Sequence, residues 1–431
     1  MHKILLSVFV WALFAQVLFA QDPNWVSYSH SNSPLPAAAV KALEVDGSGN
    51  VWIGTMGGGL VLFDGTNWTS YTASGSPLTS DYINAVEEDA AGNIWVGMGF
   101  LNDGGLAKFD GNNWTVYQTN NSGIPGNAAN AIAFDAAQQV WVGTNDGLAS
   151  FDGTSWTVFN TSNSQIPSDI IYATAIDNAG NKWIGTPEGL VKFDGNNWTV
   201  YNADNSGLPA NDVNSIAIDN AGVLWIGTGD SWTAGGLSTF DGTNWTTYSS
   251  GNSDLPSDFV NAVVIDPSGN KWIATIDGLA KFDGAAWTVY TESNSPINDG
   301  VNDVSIDPSG NKWIATDGLF GPSLLVYNEA GVVLGVELLD PTVPASFEML
   351  QNYPNPFNPT TTIRFYIAKQ THVTLKVFEL LGKEIATLVD KKLTPGEYRA
   401  TFEGENLPSG VYIYTLRVND FVRSKKMLLI K

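Results

Sequence analysis

The chain has 431 residues, no cysteine, 44 glycines, 16 tryptophans and a formal net charge of −23. Without cysteine it can form no disulfide, no thiolate metal site and no lipid anchor on an N-terminal cysteine, so its stability rests on its core. Residues 21–345 hold 35 acidic residues against 7 lysines and no arginine, a balance that repels nucleic acid and anionic membranes, whereas 346–431 hold 12 basic and 8 acidic residues. Such a shift of composition marks a domain boundary near 345.

In chain order, 1–20 read as a secretory signal: Lys3 is basic, 4–14 are apolar, and Ala20 precedes Gln21 as a small residue for cleavage. No other stretch is long and apolar enough to cross a bilayer. From 21 to 335 the sequence repeats. A run hydrophobic–Trp–hydrophobic–Gly/Ala–Thr is centred on Trp52, Trp95, Trp141, Trp183, Trp225, Trp272 and Trp313, its second copy ending in Met98. A second run, Phe-Asp-Gly-x-x-Trp, ends at Trp68, Trp114, Trp156, Trp198, Trp245 and Trp287. A period in the forties built of short β-rich pieces is the pattern of propeller blades. In one representative blade, 172–176, 182–186, 189–193 and 198–201 are four strands, joined by Asp-x-x-Gly-Asn and Asp-Gly turns.

Seven second-strand tryptophans meet only six complete fourth strands. The missing one is at the front, where Asn24-Trp25-Val26-Ser27-Tyr28 matches Asn197-Trp198-Thr199-Val200-Tyr201. The first strand is therefore expected to complete the last blade beside 325–327, closing a seven-bladed ring and hiding two strand edges. The spacing from each fourth-strand Trp to the next second-strand Trp is 27 in six of seven cases, while the second-strand Trp to third-strand aromatic gap runs from 10 to 15. Length variation thus sits on one face, with the crossovers between blades, and recognition is expected there.

The text Leu208-Pro209-Ala210-Asn211-Asp212-Val213-Asn214-Ser215-Ile216-Ala217-Ile218-Asp219, running to Trp225-Ile226-Gly227-Thr228, resembles the two-component-regulator propeller repeat. That family forms extracytoplasmic sensor portions of bacterial membrane histidine kinases implicated in detecting glycans. This chain departs from it in showing no membrane span, kinase or DNA-binding segment. After a linker at 336–345, residues 346–431 resemble the type A sorting domain of type IX secretion cargo, an immunoglobulin-like β-sandwich. The resemblance is carried by Gln351-Asn352-Tyr353-Pro354-Asn355-Pro356-Phe357-Asn358-Pro359, Leu407-Pro408-Ser409-Gly410-Val411-Tyr412 and Ser424-Lys425-Lys426-Met427-Leu428-Leu429-Ile430-Lys431. It implies a partner in the type IX secretion machinery, passage across the outer membrane of a Gram-negative bacterium, and a secreted or cell-surface protein. The fold expected for the whole is all-β: a seven-bladed propeller closed by its N-terminal strand, then a small β-sandwich.

Candidate chemistry is sparse. The Asp-x-x-Gly-Asn turns at Asp46, Asp89, Asp177, Asp266 and Asp307 lack the further carboxylates calcium needs and read as structural turns. The ring has no arginine to clamp a sialidase substrate, and its one histidine is His30. Five residues ahead of each turn Asp stand Asn84, Asn130, Asn214, Asn261 and Asn302, with Lys41 and Tyr172 in the two other blades. These open the innermost strands at the channel mouth. They either cap strand ends or form a ring whose two exceptions suit an asymmetric ligand. Phe100, Leu101, Trp232 and Phe320 lie in the long loops; Trp232 stands outside the repeat pattern, so the core does not explain it, and such a group suits an aromatic platform for a sugar ring or a partner protein. The expectation is a non-catalytic propeller, with neither metal nor cofactor, that binds an extracellular glycan or protein. The alternative is an extracellular lyase or hydrolase with its site at the channel mouth.

Overall fold

The computed structural model describes residues 24–431 apart from 66, 101, 231–232, 320, 330, 333–336, 341–346, 370, 394, 405–406 and 420. The expected signal at 1–20 lies outside the described residues, as do Leu101, Trp232 and Phe320. The described residues contain no helix, and their strands form nine four-stranded sheets.

Seven of these sheets are the blades of one ring. Blades one to six run over 40–71, 83–117, 129–159, 173–201, 213–248 and 260–290, each an antiparallel meander in chain order. Blade seven is made of Val301–Ile306, Lys312–Thr316 and Leu324–Tyr327, with Trp25–Tyr28 as its outer strand. The clasp is antiparallel, with Trp25 opposite Tyr327 and Tyr28 opposite Leu324. The ring is thus closed by its own first strand, as the unequal counts of the two tryptophan runs foretold.

The core is divided into wedges, one between each pair of neighbouring blades. Between blades one and two, Trp52, Leu60, Ile83, Val96 and Ala107 pack together. Between six and seven, Trp272, Leu279, Val301 and Ile314 do so with Trp25 and Tyr327. Each second-strand indole lies over the fourth-strand aromatic ring of its own blade, and six of the seven meet the third-strand aromatic of the next, Trp95 meeting the first-strand Phe134 instead. Trp52, for example, lies 6.1 Å from Tyr71 and 6.0 Å from Phe109. Its polar edge is satisfied as well: Trp52 Nε1 donates to Asp46 Oδ2 at 3.0 Å, and an Asp six residues ahead of the Trp accepts the same bond in all seven blades.

A glycine opens the third strand for a geometric reason. Gly189 has φ +129°, and a Cβ there would sit 2.3 Å from the Tyr201 carbonyl oxygen. Only glycine lets the third strand start this close to the end of the fourth.

The other two sheets form the C-terminal sandwich, whose core includes Phe357, Phe365, Val377, Tyr414 and Leu429. Tyr414 reaches inward, its hydroxyl accepting from Asn352 N at 2.8 Å and donating to Leu350 O at 3.1 Å. Glu337–Asp340, within the stretch expected to be linker, is instead an edge strand of this sandwich, paired with Gly396–Glu403. The sandwich packs on the turn face of the ring. Lys391 donates to the Asp64 carbonyl at 3.2 Å, and residues 384–387 share a cleft with 266–268 and 308–310.

Trp25 is 6% exposed and its ring centroid lies 4.5 Å from Tyr327 and 5.8 Å from Tyr290. Trp25→Ala is expected to lower the unfolding free energy by roughly 3–5 kcal/mol, as for other buried aromatic truncations. Denaturant melts monitored by circular dichroism check this, and an unchanged midpoint would refute the clasp.

Candidate functional site

The channel mouth is built by a repeated irregularity. In six blades the first strand slips register between its first and third residues, as between Ile83 and Ala85. A bulge leaves one residue unpaired and re-aims its side chain. That residue is Lys41, Asn84, Asn130, Asn214, Asn261 or Asn302; no such slip is recorded in blade four, where Tyr172 holds the equivalent place.

The structure brings the five asparagines together around the mouth and gives each a task. Each Nδ2 donates to the carbonyl that opens the next blade: Asn84 to Ala129 O, Asn130 to Ile171 O, Asn214 to Val260 O, Asn261 to Val301 O and Asn302 to Val40 O, at 2.8–3.3 Å. Four of them also hold their own blade, Asn84 through Gly99 O at 2.7 Å and Asn302 through Asp317 Oδ1 at 2.9 Å, for example. Their amide donors are therefore spent on joining blade to blade. Lys41 and Tyr172, which hold the equivalent place in the two other blades, are exposed at the mouth. Burial, then the Asp212 and Asp230 carboxylates, raise the Tyr172 phenol above its usual range.

The same face carries the ring's exposed apolar groups. Among the described residues, the large hydrophobic side chains exposed on the propeller are Met56, Tyr82, Phe100, Ile170, Tyr172, Ile276 and Leu319. All seven lie in second-to-third strand connections or just ahead of a first strand, on the face of variable loop length. Phe100 stacks on Tyr82 at 5.4 Å and 25°, and Met56 bridges to Tyr82. Two clefts adjoin them. One of about 700 Å³ lies over the ring-closing seam between His30, Asn32, Asn298, Leu319 and Pro322. Another of about 560 Å³, between Asp277, Glu292 and Asp299, shares Asp317 and Leu319 with it.

Sequence reasoning picked out Phe100 and Tyr172 from this group and passed over Met56, Tyr82, Ile170, Ile276 and Leu319. A signal was available. Tyr82 and Ile170 stand seven residues ahead of a turn Asp, a place filled elsewhere by Ala39, Ala128, Asp212, Phe259 and Gly300. A position that takes Ala, Asp or Gly in four of the seven blades is set by no core requirement common to the ring, and Tyr82 is exposed there.

A second group missed in the sequence lies deeper. Glu44, Glu87 and Asp303 project from the first strands of blades one, two and seven, where the other blades place Ala, Val or Ser. Asp303 bridges blades, accepting from Leu43 N at 2.8 Å, and Glu44 accepts from Glu88 N at 3.4 Å. Burial, then repulsion from Asp303, pushes Glu87 up to about 8. Burial raises Asp303 to about 6, and burial followed by Glu87 raises Glu44 well above the usual carboxylate range. Among the described residues, no group of three or more His, Asp or Glu side chains is placed to hold a metal ion.

Comparison with known families gives these faces a context. Residues 77–100 and 207–230 match the two component regulator propeller family, and 351–431 match the secretion system C-terminal sorting domain. The chain carries regulator-type propeller repeats and a sorting tail. That tail places the protein outside the cell or on its surface and implies contact with the secretion machinery. No curated protein matches the sequence.

Among solved structures, the extracellular domain of a hybrid two component system from B. thetaiotaomicron is 19% identical, with a TM-score of 0.62 over 94% of this chain and 57% of that one. PorZ, a surface component of the type-IX secretion system of Porphyromonas gingivalis, is 17% identical with a TM-score of 0.50, over 90% and 59%. Virginiamycin B lyase from Staphylococcus aureus is 11% identical with a TM-score of 0.55, over 70% and 97%. At these identities the likeness is one of fold. The chain spans under two thirds of the first two proteins.

The channel carboxylates set a pH dependence. A folded-state pKa above the unfolded one means that the native protein keeps a proton the unfolded chain has lost, so stability falls as pH rises from about 4.5 through about 8. Thermal melts between pH 5 and 9 are expected to show that fall. Glu87→Gln should abolish much of it, a gain at pH 9 on the order of 2 kcal/mol. A flat native profile would show that the channel carboxylates carry no such strain.

Proposed function

We propose that the protein is a secreted or surface-displayed, non-catalytic propeller that binds an extracellular glycan or protein through its variable face. One observation carries this reading: every large apolar side chain exposed on the described propeller lies on that face, and none on the turn face, where the sorting domain packs. Single exposed apolar residues are ordinary on a soluble protein, but their confinement to the face of long loops and clefts is what a recognition surface needs. The fold relatives that are extracellular domains of two component systems fit such a role.

The catalytic alternative finds little support in the ring. A histidine variant of virginiamycin B lyase is described as catalytically inactive. Here His30 is exposed at the rim of the seam cleft, with no hydrogen bond or ion pair to a described residue that would orient it as an acid or base.

Tyr82→Ala with Phe100→Ala and Tyr172→Ala should weaken binding at least tenfold in glycan-array or immobilised-protein measurements while leaving the melting temperature within a few degrees. Turnover of a polysaccharide or cyclic-peptide library by the unaltered protein would overturn the non-catalytic reading.

A further inference from the structure

We infer that the ligand of the variable face is a polypeptide that presents basic side chains beside apolar anchors. This deepens the reading above and rests on it. Three observations separate a polypeptide from a glycan.

The first is the kind of apolar group on offer. A sugar ring stacks its C–H face on a flat aromatic ring. Four of the seven exposed groups, Met56, Ile170, Ile276 and Leu319, have no such face, and Leu319 is the most exposed of all at 74%. Branched and thioether side chains pack instead against other side chains, and methionine is over-used on surfaces that bind polypeptides.

The second is their spread. The exposed groups stand on blades one, two, four, six and seven, around the mouth rather than in one patch. A single oligosaccharide would cover one or two such points. A protein partner, covering on the order of 800 Å² on each side, reaches several.

The third is charge. Of the seven propeller lysines, six (Lys108, Lys182, Lys192, Lys271, Lys281 and Lys312) lie over the second-strand tryptophans. That position is toward the turn face, where Lys108 and Lys271 also reach the turn carboxylates Asp89 and Asp219. Lys41 is the one lysine left for the variable face, and the ring has no arginine. The apolar groups there stand among carboxylates: Asp103 beside Phe100, Glu188 and Asp212 in the blades around Tyr172, and Asp277 beside Ile276. Such a surface attracts a basic partner and repels acidic polymers, and complementary charge of this kind sets partner choice and association rate.

The test uses the full-length protein and a phage-displayed dodecapeptide library, with enriched peptides synthesised and titrated by fluorescence anisotropy. The expected peptides are net positive with aliphatic or aromatic anchors. Their affinity should fall at least tenfold between 20 and 300 mM NaCl, and at least tenfold in a Met56→Ser, Ile276→Ser, Leu319→Ser variant. Should that variant fail to fold, Glu188→Gln with Asp212→Asn and Asp277→Asn probes the same face by charge alone, and the same loss is expected. Peptides with no charge bias, or binding untouched by either variant, would overturn the inference. Glycan binding lost in the aromatic variant but kept in the aliphatic one would also overturn it while leaving the proposed function standing. A variable face that binds neither peptide nor glycan would end both.

Discussion

Everything in the ring hangs on one hydrogen bond made seven times, from an indole N–H to the carboxylate of an Asp six residues ahead of it in the chain. At Asp177 one oxygen accepts Ala179 N and Asn181 N, and the other accepts Asn181 Nδ2 and Trp183 Nε1, all at 2.7–3.0 Å. One side chain thereby closes the turn and fixes the edge of a tryptophan whose faces pack against two blades. An indole buried without an acceptor would lose about 1–3 kcal/mol. Burial works against ionisation at Asp177, but the bonds from Asn181 and Trp183 outweigh it and hold the carboxyl below its usual range. At Asp307, in the turn beside the docked sandwich, burial outweighs the same bonds and pushes the carboxyl up.

This bond also explains why the molecule has one plain face and one elaborated one. The turn that holds the carboxylate cannot change length without moving the indole out of reach, so the turn face is nearly uniform. At the opposite end no such constraint acts, and connections there lengthen and take up apolar residues. The two ends differ in chemistry as well as length. Lysines gather over the tryptophans near the turn face, where Lys312 and Lys281 share Glu329 at 2.7 and 2.8 Å. The sorting domain, which has the basic balance, lies against the face that holds the turn carboxylates.

Blade number, strand order and ring closure were legible in the sequence because they follow from periodicity, and the spacing of two tryptophan runs is enough to count blades. The role of the asparagines was only half legible. Their place at the channel mouth follows from the repeat, but a strand bulge leaves no mark in composition, and the bulge is what turns each amide toward the next blade. Phe100 stood out because it sits in a long loop. Tyr82, against which it stacks, did not, because it lies in a segment of constant length where only comparison between blades reveals it as free of core duty. Glu44, Glu87 and Asp303 were invisible for another reason: each lies on a different blade, and only the curvature of the ring brings them near one another. The strand at 337–340 looked like linker because its pairing partner lies some sixty residues further on, at 396–403.

The clasp between Trp25–Tyr28 and Leu324–Tyr327 joins residues about three hundred positions apart. Contacts of such separation form late, since the chain between them must be organised before its ends can meet. A chain that lacks 324–327 leaves its first strand without the partner that closes the ring, so the strand edges that the clasp covers stay unpaired. The circle therefore doubles as a check on completeness, because only a molecule that has both its first strand and its seventh blade can cover that last edge.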